Sequence, residues 1–298
     1  MRRHLVVVRC GPASLHPTWV AGDAPRTFDL WRCPYADAPA ADDLPSLART
    51  LPGGKWAGLA RLLADERAWR AYDHVWLPDD DLGADAATID RFLAACVAHD
   101  AALAAPALAE DAQFSHVTTL RNRAFRARAT TFVEIMAPCF RRDVLEALLP
   151  TFSAGPTGHG WGLDDAWGRL LDYRGLYVMD DVTVRHDRPV GSRRTRADDR
   201  VLRAEMRAMH RRYDARSLRK TLGGVDLAGA TLTEASPGFL DALLGGWAWL
   251  FEERPHLRER LLYDQHLDAA AWLRSAPVRA ARGPLARLWA RWRGDPLA

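Results

Sequence analysis

The run HLVVV at residues 4–8 constrains the fold most, because Leu5, Val6, Val7 and Val8 follow one another with no polar residue between them. Successive side chains of a strand point to opposite faces, so such a run is apolar on both and has to be covered on both. The pattern then repeats with helices in between. TFDLWRC (residues 27–33) alternates as a strand does, and KWAGLARLLADERAWRAY (residues 55–72) places Trp56, Leu59, Leu62, Leu63 and Trp69 at helical spacing. DHVWLP reads as a strand, ATIDRFLAACVAHD as a helix, LAAPAL as a strand and TTFVEIMAPCF (residues 130–140) as a strand before the helix RRDVLEALLPTF. GHGWGLDDAWGRLLDY is a Gly-rich loop entering a helix, and GLYVMDDVTVRHDRP predicts a last strand pair ending at His186. Strands alternating with helices predict an α/β fold with a mixed, mostly parallel sheet and helices on both faces. After residue 195 the segments become arginine-studded or Trp-rich and helical, so residues 1–195 read as the core and 196–298 as a C-terminal helical extension.

Composition excludes several classes. With 48% hydrophobic and 27% charged residues the chain has the make-up of a soluble globular protein, and a net charge of +3 gives no reason to expect nucleic acid as a partner. The 298 residues hold only two lysines, Lys55 and Lys220, against 39 arginines, so a single Arg carries little information. Cys10, Cys33, Cys96 and Cys139 are scattered without a zinc or redox spacing and fit a reducing compartment, with two disulfides as the alternative. The N-terminal apolar run is too short for a signal peptide, and LLGGWAWLF falls far short of a bilayer span; the expectation is a cytoplasmic protein. RGPLARLWARWRGDP near the C-terminus sets Leu285, Leu288, Trp289 and Trp292 on one helical face with arginines opposite, a candidate for peripheral membrane contact and equally for a domain cap or dimer contact.

Chemistry is concentrated where strands end, the edge at which open α/β sheets bind ligands. YDHVWLPDDDLGAD ends a strand in Asp79, Asp80 and Asp81; Asp164-Asp165 follow the Gly-rich loop, and His186 closes the last strand. Oxygen ligands suit Mg2+ or Mn2+, and one imidazole tilts the preference to Mn2+. Asp79 and Asp81 are expected to point one way and Asp80 the other, one of the pair holding the metal and the other a ribose hydroxyl. In isolation an acidic triplet is most often a solvated turn or a helix cap.

The wider context is more specific. KWAGLARLL, YDHVWLPDDDLGAD and FLAACVAHDAALAAPAL, followed by FVEIMAPCFRRDVL, HGWGLDDAWGRL and VRHDRPVG, resemble in order the motifs of the DUF707 family, best known from plants. The likeness spans residues 55–192; the N-terminal segment departs more, and Asp80 stands where plant members tend to have Glu. The resemblance implies a GT-A-like, Rossmann-related fold and a nucleotide-sugar-dependent glycosyltransferase. It implies Asp79 and Asp81 as the metal-binding Asp-x-Asp pair, His186 as a late metal ligand, and Asp164, or failing that Asp165, as general base. Such a base favours inversion at the anomeric carbon.

Other residues keep two readings. Glu134 interrupts an apolar strand, at a site or facing an Arg; Trp161 stacks on a sugar or packs as a core aromatic, next to Gly162 on the acceptor-side loop. His159 beside them is more often a loop residue than a ligand. Lys55 begins a helix and either approaches the diphosphate or is solvated; Arg9 and Gly11, in the first loop with Ser14, are candidates for nucleotide contact. Arg121, Arg123, Arg126 and Arg128 read as a solvated basic loop or as the flank of an anionic ligand. A non-catalytic nucleotide- or carbohydrate-binding module and a nucleotidyltransferase are the alternative functions. The latter shares the paired Asp but has no need of an acceptor-side loop such as GHGWGLDD.

Overall fold

Valines that alternate across one strand divide the interior in two. In the computed structural model, which describes residues 2–22, 25–36, 50–189 and 195–266, β1 (His4–Cys10) is buried along its whole length. Leu5 and Val7 join one apolar core and Val6 and Val8 the other. The remaining elements follow in chain order as β2 (Phe28–Pro34), α1 (Lys55–Asp65), β3 (His74–Trp76), β4 (Leu82–Gly83), α2 (Ala86–Ala98) and β5 (Leu103–Leu108). Next come β6 (Phe125–Thr130), β7 (Cys139–Arg141), α3 (Arg142–Leu148), α4 (Leu163–Leu170) and β8 (Leu176–His186). The last are α5 (Arg196–Tyr213), β9 (Thr221–Asp226), β10 (Thr231–Thr233), α6 (Phe239–Gly245), α7 (Ala248–Glu253) and α8 (Pro255–His266).

The sheet runs β10-β9-β6-β8-β5-β7-β3-β1-β2, with β4 paired to the end of β8. Along that path β1, β2, β3, β5, β8 and β9 share a direction while β6, β7 and β10 oppose it. This is the expected mixed, mostly parallel sheet. Trp56 and Leu59 of α1, Leu145 of α3 and Trp167 of α4 cover one face, and Ile89, Phe92 and Leu93 of α2 cover the other. Trp167 is the hub of the first core: its ring lies 4.9 Å from that of Trp56, 5.1 Å from Phe140 and 5.7 Å from Phe152. Its indole N–H donates to Thr151 Oγ1 at 2.9 Å, so the large apolar ring is buried without an orphaned donor.

Four sequence expectations are corrected. The predicted helix over 55–72 stops at Asp65 and gives way to a 3-10 turn at Arg67–Ala71. The predicted strand over 130–140 splits: β6 ends at Thr130, β7 begins at Cys139, and residues 131–138 form an irregular loop whose Leu77 and Asp79 partners lie on the acidic turn. The predicted final strand pair is one strand, β8, with a register shift opposite Pro106/Ala107. The stretch after 195 is not helical throughout, because β9 and β10 form an antiparallel hairpin on β6 and extend the main sheet. α6 and the Trp247 turn cover that extension through a third cluster of Phe125, Phe239, Leu243 and Trp247. The amphipathic segment with Leu285, Leu288, Trp289 and Trp292 lies outside the described residues.

All four cysteines are buried and free. Among the described residues, no helix is long and apolar enough to cross a membrane.

Candidate functional site

The three acids after β3 diverge, and each meets a different partner. Lys55, the first residue of α1, donates from Nζ to Asp79 Oδ1 at 2.6 Å and to the carbonyls of Ile135 and Met136 at 2.8 and 3.0 Å. All three ammonium protons are thereby used. Burial by itself lowers the Lys55 pKa and raises that of Asp79, and their mutual attraction opposes both shifts. Asp79 N–H donates to the Met136 carbonyl, so the acidic turn is stitched to the 131–138 loop.

Asp80 turns toward the first loop. Its Oδ2 accepts from Gly11 N at 3.1 Å and from the Tyr35 hydroxyl at 3.3 Å, and Arg188 lies 3.5 Å from Oδ1. A Cβ at Gly11 would run into the Tyr35 ring, which is the reason for glycine there. Arg9 donates to the carbonyls of Cys33, Pro34 and Gly53, so its guanidinium ties the end of β2 to the segment before α1. A recess of about 250 Å3 opens between Arg9, Tyr35, Lys55 and the three acids.

Asp81 faces His186, with 3.4 Å between Oδ2 and Nε2. This juxtaposition is a consequence of sheet register: in the β4–β8 pairing Leu82 lies opposite His186. His186 Nδ1 lies 3.0 Å from the Gln113 carbonyl. A carbonyl only accepts, so Nδ1 carries a proton and Nε2 is directed at Asp81. Burial tends to raise the Asp81 carboxyl, but His186 and Arg188 hold it below the usual range; His186 is raised, because Asp81 outweighs its own burial.

The acid triplet is thus compensated by the chain itself, through Lys55, backbone N–H groups, Arg188 and His186. Among the described residues no three His, Cys, Asp or Glu side chains gather as a metal site, since Asp79 is drawn to Lys55. Asp81 Oδ2 and His186 Nε2, the latter on a ring oriented by a backbone carbonyl, are an oxygen and an imidazole nitrogen of the type a divalent cation takes. The remaining positions are left to ligand oxygens.

The second half of the site is built on α4. Gly160 (φ +87°) and Gly162 (φ +88°) take a left-handed backbone that brings the preceding loop against Trp56 and against Met206 and Met209 of α5. Asp164 and Asp165 occupy the first turn of α4 and are both buried. Asp165 is consumed by structure: it is ion-paired to Arg219 and accepts from His210 Nε2 at 2.8 Å and Ser217 Oγ at 3.1 Å. Burial opposes ionisation there, yet these partners hold its carboxyl below the ordinary value.

Asp164 has no such cation. It accepts only from backbone, including Asp165 N at 3.0 Å, and burial, then the charge of Asp165, push it up to about 7. Glu134, in the 131–138 loop and not on a strand, is pushed up to about 7 by burial and by Asp164, and its Oε2 has no hydrogen-bond partner. Both acids line a cavity of about 400 Å3 together with Asp79, His186, Trp161 and Gly162. Gly162, as the left-handed N-cap of α4, contributes backbone conformation. His159 is exposed and borders the smaller recess.

The structure therefore brings Asp79, Glu134, Trp161, Gly162, Asp164, Asp165 and His186 to one cavity and Arg9, Lys55, Asp79, Asp80 and Asp81 to the adjoining recess, Asp79 belonging to both. The basic run does not flank it. Arg128 is fully buried against Asp180, Arg123 pairs with Glu110, and Arg126 donates to the Leu227 carbonyl. Arg219, His210, Ser217 and Arg188 shape the site and carried no signal in sequence, because no spacing relates them to the acids they hold.

No protein-family model matches the sequence, and a search of curated proteins found no match. Solved structures do resemble it. The S. aureus TarS 1–349 structure in complex with UDP-GlcNAc is 12% identical, with a TM-score of 0.46 over 70% of this chain and 67% of that one. A second S. aureus TarS structure gives 12% identity and a TM-score of 0.44, this chain covering 43% of its length. A197 from STIV gives 12% identity and a TM-score of 0.34 over 62% of this chain and 85% of that one.

Proposed function

We propose that this protein is a nucleotide-sugar-dependent glycosyltransferase of GT-A-like architecture, related to the DUF707 family, that passes a sugar to an acceptor hydroxyl with Asp164 as general base. The observation that carries this reading is the sharing of one cavity by a buried carboxyl with a raised pKa, Asp164, and by the strand-end acids and His186. A carboxyl that titrates near neutrality is matched to taking a proton from a hydroxyl. The same cavity adjoins a recess lined by Arg9, Tyr35 and the acid triplet, which is where the donor nucleotide would sit.

Asp81 and His186 would hold a divalent cation, Mn2+ or Mg2+. When bound, such an ion stabilises the negative charge of a departing diphosphate. Asp79, held by Lys55, lies between the two compartments and is placed to contact the donor. Asp164 takes the acceptor proton as the acceptor oxygen bonds to the anomeric carbon and the bond to the diphosphate breaks; attack from the side opposite the leaving group inverts that carbon. Asp165, fixed by Arg219 and His210, keeps a permanent charge next to Asp164 and so maintains its basicity. Trp161 is positioned at the cavity wall for a sugar ring face.

The test is a thermal-shift screen of UDP-, GDP-, ADP-, CMP- and dTDP-sugars with Mn2+ and with EDTA. A ligand at about 100 times its dissociation constant adds roughly 2.7 kcal/mol, which at about 2–4 °C per kcal/mol is a shift of roughly 5–10 °C. One nucleotide family is expected to shift the protein in a Mn2+-dependent way, and Asp81→Asn to remove the metal-dependent part. A folded protein that responds to none of these sugars would sink the transferase reading.

A further inference from the structure

The outer face of α5 carries a charge pattern that the reaction does not use. Thr195 caps the helix with Asp198 in a reciprocal capping box, so α5 is a defined helix from its first turn. At about 100° per residue, Arg196, Arg200, Arg203, Arg207 and Arg211 fall within an arc of roughly 80° and extend about 22 Å along the axis. All five are exposed. The buried side of the helix is Leu202, Glu205 and Met209, which points about 165° away from the stripe. The arginines therefore stand on the crest of the helix, directed straight out from the protein.

Arginine abundance does not account for this row. Over the whole chain 41 basic residues are set against 38 acidic ones; from Arg196 to Arg211 the acids are Asp198 and Asp199 in the first turn, with Asp198 held in the capping box, and Glu205, so the next three turns carry a single acid. Glu205 is turned inward, where it accepts from the Thr157 hydroxyl at 2.6 Å. None of the five arginines forms an ion pair with an acid among the described residues. On one flank of the stripe lie exposed small apolar side chains, Ala197, Val201 and Ala204, with Val201 54% exposed.

We propose that this face docks on an anionic lipid bilayer, the helix lying parallel to the surface. A convex ridge of guanidinium groups meets a plane of phosphate headgroups along its whole length, and the adjoining alanines and Val201 allow close approach at the interfacial depth. A soluble polyanion satisfies the arginines but gives the apolar flank nothing. The docking is independent of the glycosyl-transfer reading. Met206 of the same helix lines the large cavity, so the surface brings that cavity next to the headgroups.

The experiment is co-sedimentation of the full chain with phosphatidylglycerol-containing vesicles and with pure phosphatidylcholine vesicles, at low and high salt. Salt-sensitive binding to the anionic vesicles alone is expected. The variant Arg200→Gln/Arg203→Gln/Arg207→Gln/Arg211→Gln should bind at least about tenfold more weakly. Its melting temperature should be unchanged, since the four side chains hold nothing in the fold. Should that variant not fold, Arg203→Gln/Arg207→Gln is measured instead, with an intermediate loss expected. Arg61→Gln/Arg67→Gln, on exposed arginines elsewhere, is the control and should bind as the unmodified protein does. Undiminished binding by the α5 variants, or no preference of the unmodified chain for anionic vesicles, overturns the proposal. So does tight binding of inorganic polyphosphate that depends on the same arginines without vesicle binding, which would assign the stripe to a soluble polyanion.

Discussion

Replacing Asp164 by Asn is expected to reduce glycosyl transfer by about 10²–10⁴-fold, the range associated with a general base, while making the protein more resistant to heat at pH 8. The two effects have one cause. The folded Asp164 pKa, about 7, lies above the value near 3.8 of a free carboxyl because burial and Asp165 disfavour the charge. The unfolded chain therefore releases this proton more readily, and stability contributed by the protonated acid is lost as pH rises from about 4 to about 7. At roughly 1.4 kcal/mol per pKa unit the penalty above pH 7 reaches on the order of 4 kcal/mol, and Asn, neutral at every pH, escapes it. Paired melting curves should show an advantage of the variant at pH 8 that shrinks toward pH 4. In the unmodified protein, the proposed transfer should speed up with pH through about 7 as Asp164 ionises. Full activity in the variant would place the base elsewhere, and a lower melting temperature at pH 8 would mean that Asp164 stabilises the fold.

Asp180→Ala is the largest stability loss expected outside the site. Arg128 and Asp180 are both fully buried, joined by two bonds of 2.8 and 3.0 Å, and Arg128 lies 4.5 Å from the centre of the Trp247 ring. Asp180 also accepts the Asn122 N–H at 2.7 Å. Removing the carboxylate strands a guanidinium in an apolar interior, where the groups left to it are the Leu120 carbonyl and the face of the Trp247 ring. The cost is about 3–5 kcal/mol, or roughly 10 °C in melting temperature for a chain of this size. Arg128→Met/Asp180→Leu should recover most of that loss, because no charge is then left unpaired. A single variant that melts within a degree of the parent would show that Arg128 finds solvent or another acid.

Several elements were determined by the sequence by itself. The apolar run of β1, the helical periodicity of Trp56 to Leu63 and the placement of Asp79–Asp81, Asp164–Asp165 and His186 at element ends are local properties, set by side-chain period and turn residues. Where the chain's pattern was ambiguous, reading it locally failed. The FVEIMAP segment is apolar enough for a strand, yet its backbone bonds are taken by the acidic turn and by Lys55, so it became a loop and carried Glu134 into the cavity.

What tertiary structure alone decided is which acid does which work. Asp79, Asp80 and Asp81 are chemically alike and adjacent, and strand alternation predicted a two-and-one division. Instead Lys55, Gly11 and His186, drawn from α1, the first loop and β8, separate them three ways. Asp164 and Asp165 are likewise indistinguishable in sequence. Only the chain's return through α5 and the turn before β9 brings Arg219, His210 and Ser217 onto Asp165 and leaves Asp164 without a cation. A carboxyl takes its pKa from charges and burial within a few ångströms, and those neighbours lie 45 to 54 positions away along the chain, a separation across which no sequence pattern reports contact.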